Sequence, residues 1–287
     1  MKKIGGIVLI FFLTVLTFIL TSTLFGAGNY PFPINQNYQY GIRVTNANTG
    51  QMATMFSNWK TAYVRAGGGS RPGQRIMSPE QLGSWWNATC SEGQAYGMLL
   101  AVYFDDQTLF NNLWIYKENV SAGKTSRLMP WIIDSNGNIQ DINSASDADY
   151  DIAFALLMAH YQWGSGGTYN YQSLALAEIQ RCRQYTINSA DYHVKPGDGW
   201  DDWSYPSYYM PAFFRVFAEV DSGQPVNFWN NVINKCLNNM INNRNTSSGL
   251  VGEICNHDGT RRNDNPCSGG CDGRIYKYNS CPVSYTH

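Results

Sequence analysis

Apolar residues recur at three- and four-residue spacing in seven blocks of this chain, separated by stretches rich in Gly, Asn and Ser. The blocks cover roughly 51–64, 91–104, 106–120, 148–163, 171–185, 208–220 and 227–243, and each predicts an α-helix. Ser91 and Ser146 each precede acids at the head of a block, the pattern of an N-cap followed by charges that suit the positive end of a helix. The run from Ile152 to Ala159 is apolar nearly all round, so it predicts a helix enclosed by others. Residues 28–46 read as extended, and strand-like alternation is otherwise sparse. The predicted class is mainly α, with a single domain over residues 28–287.

Residues 1–27 stand apart. Met1-Lys2-Lys3 is followed by an uncharged, mostly apolar run to Ala27, which predicts export. Two readings follow: a cleaved signal peptide, or an uncleaved membrane anchor, favoured by the run's length and imperfect cleavage sites. Either places the domain outside the cytoplasm, secreted or periplasmic, with membrane contact only if the leader stays.

The chain's 287 residues carry a formal net charge of -1, which excludes the basic face a nucleic-acid partner needs. Only 14% of residues are charged, whereas 9 Trp, 19 Tyr and 13 Phe make rings abundant. Most rings belong in a core, but an exposed subset would stack on sugar faces. Seven cysteines suit an oxidising compartment. Cys255, Cys267, Cys271 and Cys281 crowd the C-terminal end. Disulfides stapling a loop fit them better than a metal site, because paired C-x2-C knuckles are absent. No metal and no cofactor are expected.

Three segments carry candidate chemistry. Ser91-Glu92-Gly93-Gln94-Ala95-Tyr96-Gly97-Met98 sets one acid among small and apolar residues at a helix start, where desolvation raises a carboxyl pKa and keeps its proton near neutrality. Ala145-Ser146-Asp147-Ala148-Asp149-Tyr150-Asp151 supplies a second. Its three acids alternate, so on a helix they face different ways and do different work. Caps and dipole partners account for one or two of them, and a calcium loop lacks its Gly-turn spacing. The third, from Pro196 to Phe214, packs rings and acids into a Gly/Pro-broken loop, as a carbohydrate subsite would.

These segments, the second continuing to Trp163 and the third through Pro206-Ser207-Tyr208-Tyr209-Met210-Pro211-Ala212-Phe213, resemble those of glycoside hydrolase family 8, in the same order and at similar separations. The resemblance covers about residues 35–281. It implies an (α/α)6 barrel whose inner helices present their N-termini to a long groove. It also implies an inverting endo-acting hydrolase of β-1,4-linked polysaccharide, acting as a monomer. Cellulose-type glucan is the leading substrate; xylan, lichenan and chitosan are alternatives, chitosan because Asp198, Asp201 and Asp202 would meet its amines. Carried over by position, Glu92 is the general acid and Asp147 lies beside the reactive sugar and the attacking water. Asp149, Trp131, Trp200, Trp203, Tyr205 and Tyr208 are implied substrate contacts.

Two departures bear on the reaction. Many members carry the base in Tyr-x-Tyr-Asp-Ala, whereas this chain reads Tyr276-Lys277-Tyr278-Asn279-Ser280. An amide positions a water but cannot take its proton. The loop upstream holds Glu253, Asp258, Asp264 and Asp272, of which Asp272 and Asp264 lie nearest the motif and are the candidate bases. Beyond Cys281 the family's closing helices are not matched, which predicts an incomplete barrel with unburied apolar faces and reduced stability and activity. The different-class alternative is a catalytically impaired protein that binds β-glucan.

Overall fold

The computed structural model describes Asn29 and residues 48–264, 266, 272–276 and 280. The leader and Cys267, Cys271, Asn279 and Cys281 lie outside the described residues. Seven α-helices are described: α1 (Thr49–Tyr63), α2 (Ser91–Tyr103), α3 (Gln107–Ser121), α4 (Ser146–Trp163), α5 (Tyr171–Tyr185), α6 (Pro211–Val220) and α7 (Phe228–Asn243). Every block of helical periodicity became a helix. Two small antiparallel sheets accompany them, β1 (Val64–Ala66) with β2 (Gln74–Ile76), and β3 (Thr89–Cys90) with β4 (Ile132–Ile133) and β5 (Ile139–Asp141). No described helix is long and apolar enough to cross a membrane.

Local sequence sets most helix starts. The side chains of Asn48, Asp106 and Asn170 accept backbone N–H groups of α1, α3 and α5, satisfying donors that have no partner within the helix. The caps expected at Ser91 and Ser146 are corrected by one position. Cys90 and Ala145 hold the cap positions without side-chain bonds, and both serines are the first helical residues. Loop carbonyls make a serine cap unnecessary: Ser91 N–H donates to the Trp131 carbonyl and Ser146 N–H to that of Pro196. The Ser146 hydroxyl is spent on the Lys195 carbonyl.

Short connections fold consecutive helices back on one another, as expected of αα-hairpins. α2 packs on α3, α4 on α5 and α6 on α7, while α2 also packs against α4. The α4–α6 seam is aromatic: Tyr150 meets Phe214 edge-on at 5.0 Å, and Phe154 stacks on Phe213 at 4.0 Å. α2, α4 and α6 therefore stand side by side as an inner row, backed by α3, α5 and α7. α4 is buried along nearly its whole first half, as its all-round apolar sequence requires. Lys117 on α3 and Glu178 on α5, both fully buried, pair at 2.6 Å and tie two outer helices together.

The fold is thus largely helical, built of the hairpins expected of an (α/α) toroid, but among the described residues they close no barrel. Three consecutive inner–outer pairs give an open arc. The expected disulfide framework is corrected at Cys255, whose thiol is free and buried 3.4 Å from the Tyr209 hydroxyl. Packing inside the bridge between Ser204 and Cys255 leaves it no cysteine partner among the described residues. Cys90, Cys182 and Cys236 are free as well.

Candidate active site

α2 and α4 of the inner row present their N-terminal ends to a groove of about 820 Å³. Glu92 and Asp147, each the second residue of its helix, both line it. The backbone bonds that replace serine caps also build the walls, because Trp131 and Pro196 line the same groove. Trp131 is fixed further by its N–H to the Asn143 carbonyl, and its indole N–H donates to Glu92 Oε1 at 3.1 Å. The Ser91 hydroxyl donates to the other oxygen, Oε2, at 3.1 Å.

Two effects compete at these carboxyls. Helix N-termini and hydrogen-bond donors favour the anion, whereas removal from water and a like charge nearby disfavour it. For Glu92, burial prevails and raises the pKa, opposed by its own backbone N–H and by Ser91, Trp131 and Cys90. Asp147 is buried, with its Oδ1 accepting the Ala148 N–H at 2.9 Å. Burial, then the charges of Glu92 and Asp151, push it well above the usual carboxylate range. Two acids facing one groove disfavour each other's charge, so the pair titrates together rather than as two independent groups.

The alternating acids divide as their helix positions require. Asp147 alone of the three faces the groove. Asp149 is fully buried behind it, and burial pushes its pKa well up. Asp151 is also buried, and burial with the Glu92 charge raises its pKa to about 7.

Among the expected sugar contacts, Trp131, Trp200, Tyr205 and Tyr208 line the groove. Trp203 does not. Its ring is buried against Trp200 and Tyr205 in edge-on contacts, with the Arg262 guanidinium over its face. Neither candidate base lines the groove. Asp272 is buried and held by Arg274 at 2.6 Å, and Asp264 is exposed and held by Arg262, which lowers its pKa. Asn279 lies outside the described residues.

Several groove residues escaped sequence reasoning. Trp59 and Tyr63 share a helical stripe of α1 with the buried Phe56, yet both line the groove. Tyr96 stands four residues after Glu92, so their shared helix face was a usable signal. Asp141 closes β5 beside the groove, its Oδ1 accepting the Asn143 N–H. No local pattern marks it. Away from the groove lining, His193, Asp201 and His257 converge from three loops.

A ring-lined groove with a pair of carboxyls at helix N-termini is the equipment of glycosidic-bond hydrolysis. The comparisons place the chain within that class: it belongs to the glycosyl hydrolases family 8, whose sequence pattern it matches over residues 30–268. It is 36% identical over 272 residues to Endoglucanase 2 of Ruminiclostridium josui, covering 91% of this chain and 57% of that protein. To the reducing-end xylose-releasing exo-oligoxylanase Rex8A of Paenibacillus barcinonensis it is 28% identical, over 59% of this chain and 48% of that one. The solved apo β-1,3-1,4-glucanase of Paenibacillus sp. X4 superposes with a TM-score of 0.73 at 27% identity, covering 88% of this chain and 70% of that one. The chain thus spans about half the length of these two curated relatives, 57% of one and 48% of the other.

Proposed function

We propose that this chain is a glycosidase that hydrolyses β-1,4-linked glucan- or xylan-type polysaccharide, with cellulose-type glucan cut internally as the finer reading. The observation that carries it is Glu92 and Asp147 in one ring-lined groove, both with raised pKa. Glu92 holds the proton that passes to the leaving glycosidic oxygen. Asp147 steadies the sugar and the incoming water, whose oxygen bonds to the anomeric carbon as the old bond breaks. In an inverting reaction the water's own proton goes to a base opposite the acid, some 6.5–9.5 Å away. Names among the relatives span glucan and xylan, so the class is better supported than any one polymer. Chitosan loses its argument here: Asp198 pairs with Lys124, Asp201 with His193, and Asp202 with the Trp200 indole, none of them lining the groove. The leader's charge and apolar run support work outside the cytoplasm.

A specific observation also supports the impaired, glucan-binding reading. Arginines hold Asp264 and Asp272 away from the groove, and the sequence has Asn at 279. Asp141 is the remaining carboxyl among the described groove-lining residues. Reducing-sugar release from carboxymethyl cellulose, xylan, lichenan and chitosan, with the product anomer followed by NMR, separates the readings. Glu92→Gln should lower hydrolysis by about 10²–10⁴-fold while polymer binding persists. Unchanged hydrolysis in that variant removes Glu92 as the acid, and binding without turnover in the parent establishes the impaired reading. A loss in Asp141→Asn as deep as that in Glu92→Gln would make Asp141 the base.

A further inference from the structure

Behind the groove, the loop that delivers Trp200 is met by two imidazoles. His193 Nε2 lies 2.6 Å from Asp201 Oδ1, and His257 Nε2 lies 3.5 Å from the same oxygen. All three ligand atoms lie within 4.8 Å of one another. Asp191 Oδ1 stands 2.5 Å from His193 Nδ1, and its other oxygen binds Lys235 Nζ at 2.9 Å. Asn188 Nδ2 donates to Asp201 Oδ2 at 3.4 Å. His193 is buried and its ring stacks on His257, with centroids 3.8 Å apart.

We propose that His193, Asp201 and His257 form a binding site for a zinc-type divalent cation that locks the groove's aromatic loop. Two imidazole nitrogens and one carboxylate oxygen are the donor chemistry zinc takes, leaving a fourth position for water. Metal–ligand bonds near 2.0–2.2 Å in a tetrahedron place ligand atoms roughly 3.3–3.5 Å apart. The His257–Asp201 pair already meets that spacing, and the His193–Asp201 pair must open by somewhat less than 1 Å.

The surroundings are those of a metal-ligating histidine. Nδ1 of His193 donates to the Asp191 carboxylate, the partner that orients a metal-ligating imidazole, and the Nε2 proton now donated to Asp201 is the one a bound metal would displace. Lys235 balances the charge of Asp191, while Asp201 supplies the negative charge a dication favours. His257 Nε2 is shielded from water and has no hydrogen-bond partner. Binding requires the His193–Asp201 pair to open and His257 to tilt out of the stack, and the His257 side chain is 33% exposed.

The ligands come from three separate loops, and Asp201 directly follows Trp200. A cation there joins the wall carrying Trp200, Tyr205 and Tyr208 to the hairpin in which Cys255 pairs with Arg261. Its role is therefore structural. It goes beyond the hydrolase reading and does not depend on it.

The test uses the untagged chain, stripped with chelator and then titrated with Zn²⁺ alone. Elemental analysis after dialysis should give one Zn²⁺ per chain, with Tm raised by about 5–10 °C at a hundredfold excess over Kd. Co²⁺ in its place should give the visible absorption of a tetrahedral site. His257→Ala should abolish that absorption and the Tm shift. Asp191→Asn should weaken Zn²⁺ binding about 10–100-fold. His193 is buried and its loss endangers folding, which is why His257 is the variant of choice. Less than a tenth of an equivalent of Zn²⁺ in the parent overturns the proposal. So does equal binding by parent and His257→Ala, which would place the metal at other donors such as Cys267 and Cys271.

Discussion

Glu92 shows how one carboxyl is set by opposing effects, of which burial prevails. Burial lifts its pKa, and the Trp131 indole, the Ser91 hydroxyl and a backbone N–H pull it back. In the proposed role of general acid Glu92 works only while protonated, so activity should fall as pH rises through its pKa. Trp131→Phe removes a donor that favours the anion, so the pKa should climb. The alkaline limb of the kcat/KM profile is expected to move up by about one pH unit, the worth of a single bond to a charged group. Lost sugar stacking would lower the whole profile without moving that limb, so the pH profile isolates the hydrogen bond. Glu92 was legible because an acid among small residues at a helix start is rare in a plain core. Trp200 and Trp203 were not separable: both lie in the same ring-rich loop, and only packing turns one outward to the groove and the other inward.

At the scale of elements, α2 reaches the groove only because its backbone approaches β2 closely. A Cβ on Gly97 would meet Ile76 Cγ1 at 2.5 Å and Cδ1 at 2.8 Å. Ile76 is buried, β-branched and held in register opposite Val64, so it has little room to yield. Gly97→Ala gains about 1 kcal/mol of helix propensity, against an overlap cost of about 1–3 kcal/mol. Net destabilisation is expected, with Tm lowered by a few degrees in a thermal melt. A stabilised variant would show that β2 shifts at no cost. The helices themselves were readable from periodicity alone, because each buries one continuous face. The five short strands were not, since runs of two or three residues carry no period. Nor were the true caps of α2 and α4, whose partner carbonyls come from Trp131 and Pro196, 40 and 50 residues away in sequence.

Stability of the whole molecule should carry the imprint of the buried acids at the start of α4. Asp147, Asp149 and Asp151 all have raised pKa values, so the folded chain keeps protons that the unfolded chain releases near pH 4. Their contribution is most favourable below about pH 4 and declines as pH rises; for Asp151 the decline ends above about pH 7. Asp151→Asn should therefore stabilise the chain at pH 8 relative to pH 4 by up to about 4 kcal/mol in urea unfolding. A difference that does not vary with pH would mean that Asp151 is ionised in the folded state.

By itself the sequence determined the helical class, the seven helix positions and two of the three carboxyls that line the groove, Glu92 and Asp147. Each is written in local spacing, in residue size and in the contrast between an acid and its neighbours. Tertiary structure decided which of three alternating acids faces the groove and which rings line it. It also decided that Asp264 and Asp272 answer to arginines and that His193, Asp201 and His257 meet. Those outcomes depend on contacts between residues far apart in the chain, and no local period encodes a distance across space.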